Sequence, residues 1–369
     1  MNPDPPPSRI LLIRPSALGD VCRTVPVLVS LHQAYPEAMI DWVVQEDFLP
    51  AIEGHPALHQ AIVFPRKTFG RWWRNPRIAR DLLRWFISVR RTRYDLVLDC
   101  QGLGRSGLIS FITGARHRVC LRSAREFAWL GSNDRVPAPN LPHTVDQMMA
   151  LIVHLGLEPV YDLKLFALLE HQTWWSECRR QSDFGDQPYV VVAPTSRWPS
   201  KRWPIERFEI MINQLPSRGY RHIVLIGAPG EESQATTLHA ECDHARGYIH
   251  NLIGKTSIGQ TMAILEHADL VVANDSAPLH MAVGFDRPCV GLFGPTDPAR
   301  VGPYGRPETV VRSDRSEPNV PNYYKDSRLG DSLMRLIEVD DVLTQIDKEL
   351  SNHKRATARH DPLVEESSS

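Results

Sequence analysis

No stretch of this chain reaches the roughly 18 apolar residues that a membrane span needs, and its opening, MNPDPPPSR, carries no apolar leader core. The expectation is a protein neither exported by a signal peptide nor anchored by a helix. Net charge is equally slight, 42 Lys and Arg standing against 43 Asp and Glu. A protein that binds nucleic acid usually has a clear basic excess, so nucleic acid is not an expected partner and any polyanion site has to be local. The six cysteines, Cys22, Cys100, Cys120, Cys178, Cys242 and Cys289, show no CxxC or other metal-ligand spacing. Buried thiols in a reducing cytoplasm are the expected outcome. GxGxxG is missing from the first strand-to-helix turn of either half, PSALGD and APTSRWPSKRWP, its one occurrence being GLGRSG at 102–107, and GxxxxGK[ST] is absent. The first counts against NAD or FAD, and with them against a nicotinamide-dependent oxidoreductase; the second excludes a P-loop.

What is present is a rhythm. Short apolar runs (ILLIRP, MIDWVV, YDLVLDCQG, HRVCL) alternate with helical patterns at about 20–34, 76–91 and 104–113, and VDQMMALIVHLGL follows. β-branched runs separated by helices imply parallel strands with crossover helices. A polar, irregular stretch is expected over 158–187, after which the rhythm restarts with YVVVAPTS, HIVLIGAPG, HNLIG, LVVAND and CVGLFGPT. Helices are expected over 205–216 and 231–242, and LMRLIEVDDVLTQIDKEL reads as one closing helix. The expected division is 1–165, 166–352 and a disordered tail, 353–369. At 369 residues, two doubly wound domains are the natural outcome.

In such a sheet the loops after the strands face the ligand, which singles out four stretches. PSALGD sets Gly19 and Asp20 at the mouth of a helix, where Asp is either an ordinary cap or a placed acid. APTSRWPSKRWP supplies Thr195, Ser196 and Lys201, hydroxyls and a lysine suited to a phosphate cradle or to a plain surface turn. NDSAPLHMAVG ends a strand in Asn274, Asp275 and Ser276 and begins a helix with Ala277 and Pro278, a start whose free amides suit a diphosphate; His280 would face inward on that helix and reads equally as ligand or as core. LIGAPGEES offers Glu231 or Glu232 to ribose hydroxyls.

Together, RPSALGD, DLVLDCQGLGRSGL, HTVDQMMALIVHLGL, APTSRWPSKRWP, LIGAPGEE, NLIGKTSIGQTMAIL and NDSAPLHMAVGFDRPCVGLFGPTDPARVGPYG resemble, in order and spacing, the heptosyltransferases of glycosyltransferase family 9. The resemblance spans about residues 9–350. It implies an α/β GT-B architecture, two Rossmann-like doubly wound parallel-sheet domains facing a cleft. Acceptor would bind mainly to the first domain, near Ser16, Gly19, Gln101 and Arg105, and nucleotide-sugar to the second. It also implies inverting transfer with no metal or other cofactor, from an ADP-sugar to a lipopolysaccharide inner-core glycolipid at the inner face of the inner membrane. On the family pattern Asp20 is the general base, and Thr195, Ser196 and Lys201 form the diphosphate turn. Asp275, Ser276, Ala277, Pro278, Leu279 and His280 form a second phosphate and sugar loop, with Thr256 near adenine and Glu231 or Glu232 near ribose. Ala277 stands where family members usually carry glycine. Another nucleotide-sugar or surface glycan, or a non-catalytic nucleotide-binding role, are the alternatives.

One segment falls outside that pattern. Residues 66–93 hold ten basic residues against one acid, interleaved with Phe69, Trp72, Trp73, Trp85 and Phe86. Ile78, Leu82, Trp85, Phe86 and Val89 recur at helical spacing and read as a core-facing stripe. The remaining arginines suit peripheral contact with anionic headgroups or a phosphorylated glycolipid.

Overall fold

The computed structural model describes residues 5–137, 140–182, 184–240, 248–312 and 327–359. The chain divides into two compact units, Met1–Ala167 and Leu168–Ser369. The first contains β1 (Arg9–Ile13), α1 (Leu18–Ala34), β2 (Met39–Gln45), β3 (Gln60–Phe64), α2 (Arg66–Phe69), α3 (Pro76–Arg91), β4 (Leu96–Asp99), α4 (Gly104–Thr113), β5 (His117–Leu121), β6 (Asp134–Val136) and α5 (Thr144–His154). The second contains α6 (Leu169–Gln181), β7 (Tyr189–Ala193), α7 (Ile205–Gln214), β8 (His222–Leu225), α8 (Thr236–Ala240), β9 (Tyr248–Asn251) and α9 (Ile258–Glu266), then β10 (Leu270–Asn274), α10 (Ala277–Gly284), β11 (Cys289–Phe293), α11 (Pro298–Val301), β12 (Val310–Arg312), α12 (Ser327–Met334) and α13 (Val339–Arg359).

Each unit holds one six-stranded sheet, ordered β3-β2-β1-β4-β5-β6 in the first and β12-β11-β10-β7-β8-β9 in the second. Every strand pairing is parallel. Counted within its own unit, each sheet has the order 3-2-1-4-5-6 of the dinucleotide-binding fold. The central strands are buried on both faces and therefore read as unbroken apolar runs rather than alternating ones: Ile10, Leu11, Leu12 and Ile13 are all fully buried, as are Val190, Val191 and Val192.

Several boundaries differ from expectation, each for a local reason. The first unit runs two residues past 165, because Leu165 and Ala167 are buried and Phe166 packs edge-on against His55 at 5.1 Å. The stretch expected to be irregular over 158–187 contains α6. This helix lacks an apolar stripe and is held chiefly by Trp175, which packs on Phe184 and Tyr189 (both 5.7 Å) and donates to the Tyr189 hydroxyl at 3.0 Å. The expected single closing helix is two, broken at Ile337, whose carbonyl accepts from Trp203 Nε1 (2.9 Å) and from the Arg207 guanidinium. α13 then buries Val342, Leu343, Ile346 and Leu350 at helical spacing and continues to Arg359, past residue 353 where a disordered tail was expected; residues 360–369 lie outside the described ones. Over 231–242 the chain forms one 3₁₀ turn and α8, and residues 241–242 also lie outside. Cys22, Cys100, Cys120 and Cys289 are buried free thiols and Cys178 is partly exposed, while Cys242 is not among the described residues.

The basic, aromatic segment is mostly α3. Asn75 caps it, its Oδ1 accepting from the Arg77 amide at 2.9 Å, and Pro76 begins it. Ile78, Leu82, Trp85, Phe86 and Val89 pack on the core of the first unit as the spacing predicts, whereas Trp72 and Trp73 stay exposed.

Candidate active site

In the first unit β1 and β4 are neighbours, with Ile13 opposite Asp99. Strand order reverses here, and a doubly wound sheet opens its ligand crevice at such a point. Asp20 is the third residue of α1 and accepts from the Ala17 amide at 3.3 Å, so part of its role is to cap the helix. Its carboxylate is also held by two cations: Oδ2 pairs with Arg14 Nη2 at 3.0 Å and Oδ1 with Arg23 Nη2. Both guanidinium groups are largely buried, and Nε of Arg14 and Nε and Nη1 of Arg23 are buried without a hydrogen-bond partner. Asp20 therefore balances charge that has little other compensation. The second amino group of Arg14 donates to the Cys100 carbonyl, and Gln101 Oε1 accepts from the Ser16 amide at 3.2 Å.

Three of the expected residues, Ser16, Asp20 and Gln101, thus meet around Arg14. Gly19 lies in the same first turn of α1. Arg105 does not join them; its guanidinium lies 5.7 Å from the centre of the Phe64 ring, at the end of β3. Asp99, which sequence reasoning missed, is buried at the tip of β4. Its Oδ1 accepts from the amides of Gln101 and Gly102 (both 2.9 Å) and its Oδ2 from the Ser106 hydroxyl (2.8 Å). Burial pushes its carboxyl up to about 6, although those hydrogen bonds and the Arg14 charge oppose the rise.

The second unit repeats the arrangement with β7 beside β10, Ala193 opposite Ala273. The Lys201 ammonium lies 2.5 Å from Asp275 Oδ2, which also accepts from the Thr296 hydroxyl at 2.6 Å. Burial raises the Asp275 carboxyl, but Lys201, the Thr296 hydrogen bond and the nearby His280 charge together hold it below the ordinary carboxylate range. His280 is buried, so the inward-facing expectation is met. Asn274, fully buried, fixes the two strand ends to each other, donating to the Pro194 carbonyl at 2.8 Å and accepting from the Trp203 amide at 3.0 Å.

The Thr195 hydroxyl donates to Glu231 Oε2 at 2.6 Å, and the Ser196 amide to Gln234 Oε1 at 3.1 Å. Gly227 permits that approach, since a Cβ there would sit 2.5 Å from Thr195 Oγ1. Glu232 lies instead against Gly254, whose φ of +74° and missing Cβ make the room. Thr256 is buried, and its hydroxyl pairs with that of Thr261 at 2.9 Å rather than with the other expected residues. Ser276 precedes α10, and Ala277 and Pro278 are its first two residues. Ala277 does not have positive φ, so no glycine is required there. Pro278 has no N–H, and the Leu279 amide donates to the Ser276 carbonyl at 3.2 Å. The amide donors expected at this helix start therefore reduce to Ser276 and Ala277.

Arg14, Asp99, Asn274 and Thr296 all lie at or just beyond strand ends, a position that was available as a signal; Arg23, inside α1, gave none. Among the described residues no three His, Cys, Asp or Glu side chains gather as a metal ion requires, and no helix is long and apolar enough to cross a membrane.

This pair of doubly wound units with strand-end polar turns defines a GT-B type of glycosyltransferase architecture. Residues 82–330 match the pattern of glycosyltransferase family 9 (heptosyltransferase), and the chain belongs to that family. It is 28% identical to lipopolysaccharide heptosyltransferase 1 of Escherichia coli K12 over 315 residues, 83% of this chain and 94% of that one. It is 24% identical to the lipopolysaccharide core heptosyltransferase OpsX of Haemophilus influenzae over 356 residues, 93% of this chain and 97% of that one. The crystallised E. coli heptosyltransferase WaaC with ADP superposes with a TM-score of 0.74 at 25% identity, covering 92% of this chain and 99% of its own.

Proposed function

We propose that this heptosyltransferase moves a heptose from ADP-heptose to a hydroxyl of a lipopolysaccharide inner-core acceptor, inverting the anomeric carbon and needing no metal. The observation that carries the donor half is the Lys201–Asp275–Thr296 node beside the Thr195–Ser196 turn, a fixed cation at a strand-order reversal. In an in-line displacement the acceptor oxygen bonds to the anomeric carbon as the bond to ADP breaks, and its proton passes to a carboxylate. Asp20 is the base, held in place by Arg14 and Arg23. The departing diphosphate takes the electron pair and is stabilised by Lys201 and the amides of Ser276 and Ala277 in place of a metal. Ser16, Gly19, Gln101 and Arg105 are proposed acceptor contacts, and Glu231 or Glu232 and Thr256 nucleoside contacts. The acceptor's lipid places the reaction at the inner face of the inner membrane, with the arginines of residues 66–93 meeting anionic headgroups.

The test is incubation with ADP-, UDP- and GDP-sugars and an acceptor extract, with EDTA present, followed by mass measurement of the product. A gain of one heptose from the ADP donor is expected. Transfer from UDP- or GDP-sugars alone, or abolition by EDTA, overturns the reading.

A further inference from the structure

Part of the aromatic content of residues 66–93 faces the core rather than solvent. Phe69 is buried, and Trp85 and Phe86 pack on the core. Besides Trp72, Trp73, Leu141, Val153 and Tyr161, the large exposed apolar side chains of this unit come from three adjoining elements: Leu83 and Ile87 on α3, Leu108 and Phe111 on α4, and Phe127 and Leu130 around the turn between β5 and β6.

These elements share one face of the sheet. α3 leads from β3 to β4, α4 from β4 to β5 and the turn from β5 to β6, all in the same direction across the strand order; right-handed crossovers put such connections on one side. Direct contacts confirm the adjacency. Arg90 Nη1 donates to the Ile112 carbonyl at 3.4 Å, joining α3 to α4, and the Ser110 hydroxyl donates to the Gly131 carbonyl at 3.2 Å, joining α4 to the turn. Gly107 and Gly131 allow α4 and the turn to touch backbone to backbone, as a Cβ on Gly131 would lie 1.9 Å from the Gly107 carbonyl oxygen.

Phe127 is 74% exposed, Phe111 61% and Leu83 58%, although each element also buries other residues toward the sheet. Single exposed apolar residues are ordinary, whereas six on adjoining elements mark a docking surface. The charges on these elements choose the occupant. Arg84, Arg90 and Arg91 on α3, Arg105 on α4 and Arg125 before the turn are exposed, against Asp81 and Glu126. An excess of arginine beside outward aromatic and aliphatic side chains complements an anionic lipid surface, with headgroups meeting the guanidinium groups and acyl chains the apolar tips.

We infer that the outer face of α3, α4 and the Phe127–Leu130 turn is the surface by which this protein docks on an anionic bilayer. The inference rests on the membrane contact proposed above and extends it from the outer side of α3 to α4 and the Phe127–Leu130 turn, beyond the 66–93 segment. The full chain is floated with vesicles of phosphatidylcholine alone and with three parts in ten phosphatidylglycerol. The parent is expected to bind the anionic vesicles in a salt-sensitive way, and the Phe111→Ser, Phe127→Ser double variant to bind about tenfold more weakly or worse, two apolar side chains having lost their burial in lipid. Arg84→Glu with Arg91→Glu keeps the apolar face and still lowers binding about fivefold per arginine at low salt. A Phe111→Trp reporter is expected to shift its emission to the blue on anionic vesicles and to be quenched by brominated acyl chains.

All substituted side chains are exposed, and unchanged melting of each variant confirms that folding is not what changed. A parent that ignores both vesicles removes the membrane contact as a whole. A parent that binds while the double variant binds equally, or a Phe111→Trp reporter whose emission is indifferent to brominated lipid, removes this face alone. Should sedimentation show that the parent self-associates through this face and the double variant is monomeric with vesicle binding unchanged, the face belongs to a second copy of the chain and the inference falls.

Discussion

The fourth strand of each sheet ends beside the first on a buried carboxylate, Asp99 in one unit and Asp275 in the other, and the two are driven in opposite directions. Asp99 accepts three hydrogen bonds from amides and a hydroxyl and is still pushed up to about 6. Asp275 accepts one hydroxyl and one ammonium and is held below its ordinary range. Both are equally removed from water, so the difference lies in the partner. Fixed dipoles do not offset desolvation here, whereas a full charge at 2.5 Å does. The first unit has a cation close by, but Arg14 is committed to Asp20 and to the Cys100 carbonyl. One unit therefore directs its cations at Asp20, the proposed base, and the other its lysine at Asp275, a pairing that holds the cation proposed to meet the diphosphate.

The sharpest way to break this comparison is to remove the ammonium. Lys201→Met leaves Asp275 charged and buried, and is expected to destabilise the protein by about 3–5 kcal/mol and to lower transfer by about 10²–10³-fold. Adding Asp275→Asn restores much of the stability and none of the transfer. Denaturant melts and single-turnover rates separate the two effects; a double variant as unstable as the single one would mean that the pair is not what Asp275 needs.

The first unit gives the mirror experiment. Asp20→Asn keeps hydrogen-bond acceptance and is expected to cut transfer by about 10²–10⁴-fold while ADP binding stays unchanged. Asp20→Asn and Asp20→Ala both strand the buried charges of Arg14 and Arg23, so both are expected to lose stability, on the order of 3 kcal/mol, with alanine losing the acceptor oxygen as well. Retained turnover in Asp20→Asn would remove its role as base, and melting unchanged from the parent in both variants would remove the charge argument.

The pH dependence carries the opposite signs of the two buried acids. Asp99 titrates near 6 when folded and near 3.9 when unfolded, so the folded state holds the extra proton in between and stability falls as pH rises from about 4 through 6, then levels off. The fall is on the order of 2–3 kcal/mol. Asp275, held low, contributes stability above the ordinary carboxylate value that is lost as pH drops below it. Asp99→Asn should remove the decline between pH 4 and 6 from the melting curve, and a decline that persists would assign it to another group.

Both sheets, their parallel pairing and nine of the twelve strands were legible in the sequence, because strands buried on both faces appear as unbroken apolar runs such as ILLI and YVVVA, whereas the partly exposed edge strands β3, β6 and β12 give no such run. α6 was not, since one buried tryptophan rather than a periodic stripe holds it. The break before α13 was hidden for a similar reason: it depends on Trp203 and Arg207 reaching across more than a hundred residues to one carbonyl. At the site the expected turns were found, but their internal wiring was not foreseen. Lys201 with Asp275 and Thr195 with Glu231 are side-chain pairings between distant loops, which spacing cannot encode.

The smallest expected effect tests a departure that the sequence marks as costly. Ala277 stands where the family resemblance leads to an expectation of glycine, and a glycine is needed only where φ is positive or backbone must pass unusually close. Ala277 begins α10 without positive φ and is followed by Pro278, a residue suited to the first helical turn. Alanine is the better residue for a helical backbone, so Ala277→Gly is expected to cost about 0.5–1 kcal/mol of stability through the freedom it returns to the unfolded chain. If the Ser276 and Ala277 amides hold the diphosphate, that amide remains in the variant and ADP affinity should change by less than about threefold, under about 1 kcal/mol. Calorimetry with ADP reads both numbers, and a large gain in affinity would show that the Ala277 methyl group, not backbone freedom, had been limiting the donor turn.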